Sequence, residues 1–273
     1  MQKKTPELSV IMSLYIKEKA NYFYQCLESI KNQTIIVSEI ILVLDGPINN
    51  ELEDVINYWE KLLPIKKIKL EKNEGLAKAL NKGLKHCSYD YIARMDTDDI
   101  CTPERFEKQI DFLNSNPHID IVGTWISEID EYNNIINSCV KYPLEHQELF
   151  YFFKRRNPLA HPTVMFKRSF FEKAGDYNPN FLQDQDTVLW YQGFKNGCIF
   201  SNIPFIGLHF RRTSDFYQRR SGKKKTLSLL MFRLRKINKD LNYDFTANFY
   251  AILYSLLSLA PRFVKKIIYK YFR

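Results

Sequence analysis

The 273-residue sequence predicts an α/β fold with a mostly parallel sheet, and three observations lead there. Leu8–Leu14 and Glu39–Leu44 are short, nearly continuous apolar runs that break at polar or Gly/Pro residues, as central strands buried on both faces do. Between and after them, residues 21–31 and 52–62 set Phe23, Leu27 and Ile30, then Val55, Ile56 and Trp59, at helical spacing. A βαβα order of this kind calls for right-handed crossovers and a parallel sheet.

The remaining elements extend the pattern. Residues 65–70 read as a third, poorer strand, followed by Asn73-Glu74-Gly75 and a helix carrying Leu76, Leu80 and Leu84. Residues 91–95 form a fourth strand that ends abruptly in Asp96-Thr97-Asp98-Asp99. Thr102-Pro103-Glu104 is expected to open a helix with Thr102 as its cap, through Phe106, Ile110 and Leu113, until Asn116-Pro117 stops it. Residues 119–129 look like a strand, 131–142 a hairpin or loop, and 205–210 another strand. Residues 144–202 alternate helix and loop signals without a clear period. The expected division is a nucleotide-sugar-binding half (1–100), an acceptor-binding half with the catalytic base (101–215) and a basic helical tail (216–273).

At 45% apolar content the chain buries a full core. Its net charge of +9 is unevenly spread: residues 211–273 hold sixteen Lys or Arg and three Asp, which leaves −4 for residues 1–210. Five scattered cysteines, none in a C-x-x-C arrangement, exclude a disulfide framework and a zinc site as expectations and suggest a reducing compartment. Met1–Glu7 leads straight into a strand with no signal-peptide core, so cytoplasmic retention is expected.

Three acids within four positions after a buried strand repel one another unless a proton or a cation intervenes. Magnesium or manganese, held by one or two carboxylates plus substrate phosphates, resolves the conflict with few protein ligands. The competing reading is an acidic turn ahead of the next helix. Position argues for chemistry, because ligands of open parallel sheets sit beyond the carboxyl ends of strands, where both Asp45 and the Asp96 cluster fall.

Residues 8–190 resemble glycosyltransferase family 2, the large bacterial inverting group with the GT-A fold. The stretches that carry the resemblance are Leu8-Ser9-Val10-Ile11-Met12-Ser13-Leu14-Tyr15, residues 39–46, residues 73–83, Ala93-Arg94-Met95-Asp96-Thr97-Asp98-Asp99, Gly175-Asp176-Tyr177, and residues 186–190. Ordered matches of this number are far more specific than any one of them. The resemblance implies a GT-A fold, a Rossmann-like nucleotide-binding half fused to an acceptor half, and a UDP-sugar donor with Mn²⁺ or Mg²⁺. On the donor side it points to Ser13, Tyr15, Asp45, Asn73, Gly75, Asn81, Arg94, Asp96 and Thr97. It makes Asp98 the metal ligand, with Asp96 directed to the ribose and metal-bound water.

An acceptor hydroxyl must lose its proton as it attacks the anomeric carbon, so a base is required. The family shows Glu-Asp shortly before a Leu-Trp pair; counting back from Leu189-Trp190 aligns Gln185-Asp186 with it, which implies Asp186 as base, with Asp184 as the substitute if the register slips by two. One carboxylate base opposite a nucleotide leaving group implies a single displacement with inversion, hence a β-glycoside from an α-linked donor. His161, Trp190, His209, Arg211 and Arg212 are further candidates on the acceptor or diphosphate side, the arginines as a basic clamp.

Residues 245–261 carry no charge but are too short, and too interrupted, to span a bilayer. Residues 262–273 set Phe263, Val264, Ile267, Ile268 and Tyr271 on one helical face, with Lys265, Lys266 and Lys270 largely off it, and Lys223-Lys224-Lys225 adds to the charge. That is the pattern of an interfacial helix on an anionic membrane surface, against the alternative of a core-packing terminal helix. Nucleic acid is not an expected partner, since the charge accompanies apolar rather than polar sequence. The expected chain is peripheral on the inner face of the cell membrane, extending a lipid-linked saccharide acceptor in O-antigen or capsule synthesis. Two rivals remain: a sugar nucleotidyltransferase, which would need a glycine-rich loop that residues 12–17 lack, and a nucleotide-sugar-binding scaffold without a base.

Overall fold

A computed structural model describes residues 7–181, 184–213 and 222–260. Strand β1 (Leu8–Leu14), helix α1 (Ala20–Lys31), β2 (Glu39–Leu44), α2 (Asn50–Trp59), β3 (Ile65–Lys69), α3 (Leu76–Leu84) and β4 (Tyr91–Arg94) follow in the expected order. The four strands lie side by side as β3-β2-β1-β4, all parallel, with Met12 opposite Leu42 and Val10 opposite Ala93.

Every residue of β2, and all of β1 but Ser13, is buried, because both faces are covered. Side chains alternate between faces along a strand. Val10, Met12 and Leu42 accordingly meet Phe23, Leu27, Ile56 and Trp59 of α1 and α2 in one cluster, while Ile11, Ile41 and Val43 meet Ala77 and Leu80 of α3 in another. β3, at the edge, is covered less: Ile65 and Ile68 pack partly against the two clusters, while Lys66, Lys67 and Lys69 are exposed.

The sheet then continues without a break. β5 (Ile100–Cys101) and α4 (Arg105–Ser115) precede β6 (Ile121–Ile129), which pairs antiparallel with β7 (Ile135–Val140), the hairpin expected near residues 131–142. After α5 (His146–Phe152) come β8 (Met165–Lys167), α6 (Arg168–Ala174), α7 (Gln185–Lys195) and β9 (Phe200–Arg211). β8 adds antiparallel to β4, and β6 and β9 run parallel beyond it. The mostly parallel α/β fold is therefore as expected. Helix α8 (Lys223–Phe232) runs into a π turn at Arg233–Ile237, and α9 (Phe245–Leu259) is the last described element.

Two expectations change. Thr102 does not cap α4, which begins only at Arg105; the Thr102 hydroxyl donates to the Ile206 carbonyl (3.0 Å), tying the loop to β9 instead. Trp190 does not face a ligand: it is fully buried between Phe166 and Phe200. The amphipathic segment 262–273 lies outside the described residues.

Candidate active site

The carboxyl ends of β1, β2 and β4 bring the donor-side candidates to one edge. Asp45 follows β2, and its carboxylate accepts from the backbone N–H groups of Glu74 (2.7 Å) and Gly75 (3.0 Å). The two loops press together so closely that a Cβ on Gly46 would stand 2.6 Å from the Asn73 nitrogen. Gly75 bends into α3 at φ +90°, a conformation that glycine tolerates. Asp45 thus shapes the Asn73–Gly75 loop. Asn81, one turn into α3, does not reach the edge as a free group: its side chain donates to the Tyr177 carbonyl (2.7 Å) and accepts from the Tyr177 N–H (2.9 Å), tying α3 to the segment after α6. Ser13 and Tyr15, at the end of β1, are half-buried.

The acids after β4 divide by burial. One ligand atom from each of Asp96, Asp98 and Asp99 lies within 4.8 Å of the others. Asp99 is fully buried, its Oδ1 accepts from the Arg211 N–H (2.8 Å), and its Oδ2 has no hydrogen-bond partner among the described residues. Burial, then the charges of Asp98 and Asp96, push its carboxyl well above the ordinary range. Asp96 and Asp98 are half-buried and keep a solvent-facing side. Two accessible carboxylates backed by a third whose burial disfavours its charge form a hard-oxygen donor set of the kind a divalent cation shares with phosphates and water.

Arg94 sits behind this cluster, buried and ion-paired with Asp96. Its Nε and Nη1 find no hydrogen-bond partner among the described residues. Beneath it Arg105, buried completely, donates to the Arg94 carbonyl (2.8 Å) and contacts the sulfurs of Met95 and Cys101. Thr97 donates to Glu18 (3.0 Å), which links the loop to the turn before α1.

Arg211, expected as a solvent-facing clamp, is a buried peg. Its guanidinium donates to the carbonyls of Asp98 (2.8 Å) and Asp130 (3.2 Å) and to the side chains of Asn133 (2.6 Å) and Gln25 (2.8 Å), and stands 4.2 Å from the Tyr22 ring centroid. Arg212 pairs with the buried Glu128 (3.0 Å). His209 shares a hydrogen bond with Ser127, and burial lowers its pKa. Arg211 therefore holds the acid loop from behind.

The second group of acids stands at the start of α7. Asp186 is held from both sides: its carboxylate accepts from Asn157 Nδ2 (2.7 Å) and from the Thr187 N–H (2.7 Å), while Thr187 Oγ1 donates to Asn157 (2.9 Å). Asp184 lies 3.7 Å from Lys225 of α8, and burial raises its carboxyl despite that cation. Buried Arg233 brings a second positive charge toward both acids.

His161 and Tyr177 lie between the two groups. His161 Nε2 meets the Tyr177 hydroxyl at 2.8 Å, and burial, helped by the Arg94 charge, drives the imidazole pKa well below its ordinary value, so the ring is neutral. The charges of both Asp186 and Asp96 act on the Tyr177 hydroxyl. Asn157, Tyr177, Arg105, Gln25 and Glu18 were not legible beforehand. They act through contacts between residues far apart in the chain, and only the Gly175-Asp176-Tyr177 match hinted at any of them.

A mostly parallel sheet gathering acids at the carboxyl ends of its strands is the arrangement of a GT-A glycosyltransferase. The structure of S. aureus TarS residues 1–349 with UDP-GlcNAc shares the fold, with a TM-score of 0.63 at 14% identity, covering 96% of this chain and 84% of that one. Residues 9–175 match Glycosyl transferase family 2, and the chain belongs to that family. Among its relatives are the amylovoran biosynthesis glycosyltransferase AmsE of Erwinia amylovora, 36% identical over 263 residues (96% of this chain, 97% of the relative), and the UDP-Gal:alpha-D-GlcNAc-diphosphoundecaprenol beta-1,3-galactosyltransferase of Escherichia coli. The latter is 33% identical over 272 residues, covering 99% of this chain and 98% of the relative.

Proposed function

We propose that this glycosyltransferase transfers a hexose from a UDP-sugar, with inversion, to a hydroxyl of a lipid-diphosphate-linked saccharide, forming a β-glycosidic bond in surface-polysaccharide synthesis. The observation that carries the reading is the cluster of Asp96, Asp98 and Asp99 beyond the carboxyl end of β4, whose ligand atoms lie within 4.8 Å of one another. The near-full-length similarity to the E. coli galactosyltransferase supports the donor and acceptor classes.

In this reading residues 1–100 hold the donor and residues 101–215 the acceptor and base. Ser13, Tyr15, Asn73, Gly75 and Thr97 line the donor side, with Asp45, Asn81 and Arg94 setting their positions. Asp98, with Asp96, would hold Mn²⁺ or Mg²⁺, which supplies neutralisation of the charge on the departing nucleoside diphosphate. Asp186 takes the acceptor proton: the Asn157 and Thr187 donors orient its carboxylate. Asp184 is the second candidate, because burial lifts its proton affinity, yet the nearby Lys225 occupies it. Neutral His161 positions Tyr177 between the two groups. The enzyme works as a peripheral protein on the inner membrane face; among the described residues no helix is long and apolar enough to cross a membrane.

The test is UDP release from a panel of UDP-sugars with lipid-linked acceptors, with and without Mn²⁺. Asp186→Asn should keep UDP binding and lose transfer by about 10²- to 10⁴-fold. If Asp186→Asn transfers normally and Asp184→Asn does not, the base is Asp184. Metal-dependent binding with no turnover for any pair would leave only a binding protein.

A further inference from the structure

Helix α9 carries no charged residue and shows an apolar face to solvent. Phe245, Phe249, Ile252, Leu253, Leu256 and Leu259 are all exposed, Phe245 by 82%, Leu256 by 63% and Phe249 by 62%. Their spacing of three or four gathers them into an arc of roughly 120° at 3.6 residues per turn. The opposite side buries only small residues, Ala247, Ala251 and Ser255. The helix is thus inverted with respect to an ordinary surface helix: its large side chains point outward and its small ones inward. A contiguous exposed apolar face of this kind marks an interaction surface.

Charge identifies the occupant. The Arg155 guanidinium stands 5.0 Å from the Tyr250 ring centroid beside the face, and Lys154 pairs with Asp244 at the head of the helix. Beyond Leu259 the chain continues through Arg262, Lys265, Lys266, Lys270 and Arg273 with no acid before its end. An apolar face with the Arg155 cation beside it, followed in sequence by basic residues and no acid, suits a layer of anionic lipid, where cations meet headgroups and the apolar side chains enter the acyl boundary. At 15 residues, about 22 Å at 1.5 Å per residue, α9 is too short to cross the roughly 30 Å hydrocarbon core, so it lies along the surface.

We infer that the Phe245–Leu259 helix is a membrane-docking surface for anionic lipid, laid flat through Phe245, Phe249, Ile252, Leu253, Leu256 and Leu259. The inference rests on the reading of a lipid-linked acceptor and gives it a location. α8 connects the two: its Lys225 faces Asp184 at the candidate base, and its Thr226 shares a hydrogen bond with Ser258 of α9 (2.9 Å). A bilayer under α9 brings a lipid-borne acceptor next to the carboxylates at the start of α7.

The experiment is co-sedimentation of the full chain with vesicles of phosphatidylcholine alone and of phosphatidylcholine with phosphatidylglycerol. The native chain should bind the anionic vesicles and be released by added salt. The double substitution Phe249→Glu, Leu256→Glu should weaken binding by at least about tenfold while its melting temperature and its hydrolysis of a UDP-sugar stay unchanged. A Phe249→Trp chain, which does not depend on the double variant folding, should show blue-shifted emission on anionic vesicles only. Undiminished binding of the double variant, or no spectral shift of the tryptophan, overturns the inference. So does a dimer in light scattering that the double substitution dissolves while neither protein binds vesicles, since a second copy then covers the face. Vesicle binding through α9 without transfer to any lipid-linked acceptor would remove the acceptor reading and leave the docking surface, and the opposite pair of results would do the reverse.

Discussion

The two sides of the sheet are held together differently. β3-β2-β1-β4 is secured by aliphatic side chains on both faces, with Ile41, Leu42 and Val43 all fully buried and its buried charges, Glu39 and Arg94, confined to strand ends. The β6–β9 side buries charged and polar groups: Arg211 spans four partners, Arg212 meets Glu128, and Asn202 donates to the Pro143 and Pro158 carbonyls. Apolar packing tolerates displacement in many directions, whereas a hydrogen-bonded arginine specifies one geometry. The side that must place loops from four parts of the chain uses the directional interactions. Stability and site geometry should therefore separate under mutation on the first side and fall together on the second.

The largest effect expected is at the acids themselves. Asp98→Ala should reduce transfer about 10³-fold, on the order of one lost electrostatic stabiliser, and abolish metal-dependent UDP binding in calorimetry, with little change in melting temperature. Arg211→Met should cost about 3 kcal/mol of stability in urea denaturation, because the Asp98 and Asp130 carbonyls lose a charged donor, and should also lower kcat as the acid loop loosens. If it lost stability alone, the contrast between the two sides would break. Leu42→Ala should cost roughly 2–5 kcal/mol through a core cavity yet leave KM for the donor unaltered below the melting transition.

The smallest effect is a pH dependence. Burial depresses the pKa values of His146, His161 and His209, so each is neutral in the fold and charges on unfolding once pH drops below about 6.5. The unfolded chain then binds more protons, and stability falls as pH falls through that range. His161→Gln should flatten the fall in melting temperature between about pH 7 and 5 and keep a partner for the Tyr177 hydroxyl.

The parallel half was readable because its signal is local. Apolar runs at β1 and β2, Phe23-Leu27-Ile30 on α1 and the acids after β4 each need only a few neighbouring residues to be recognised, and all stand where expected. Thr102 misled because Thr-Pro-Glu is a good local helix start, but Ile206, distant in sequence, offered its hydroxyl a carbonyl and the helix opened three residues later. Trp190 misled similarly: its place beside Leu189 matched a motif, while its bulk belonged with Phe166 and Phe200 in the core. The weak period of residues 144–202 reflects short elements joined by side-chain hydrogen bonds, which leave no repeat.

The sequence by itself determined the βαβα order, the strand ends at which Asp45 and the Asp96 cluster stand, and membership of the glycosyltransferase family. These follow from apolar periodicity and from short motifs, both written in adjacent residues. Only the tertiary structure decided that Asp99 is buried while Asp96 and Asp98 stay accessible, that Arg211 is a peg behind the acid loop, that Asn81 holds Tyr177, and that α9 turns its large side chains outward. Burial and partnership depend on which distant segments meet, and no run of neighbouring residues records that.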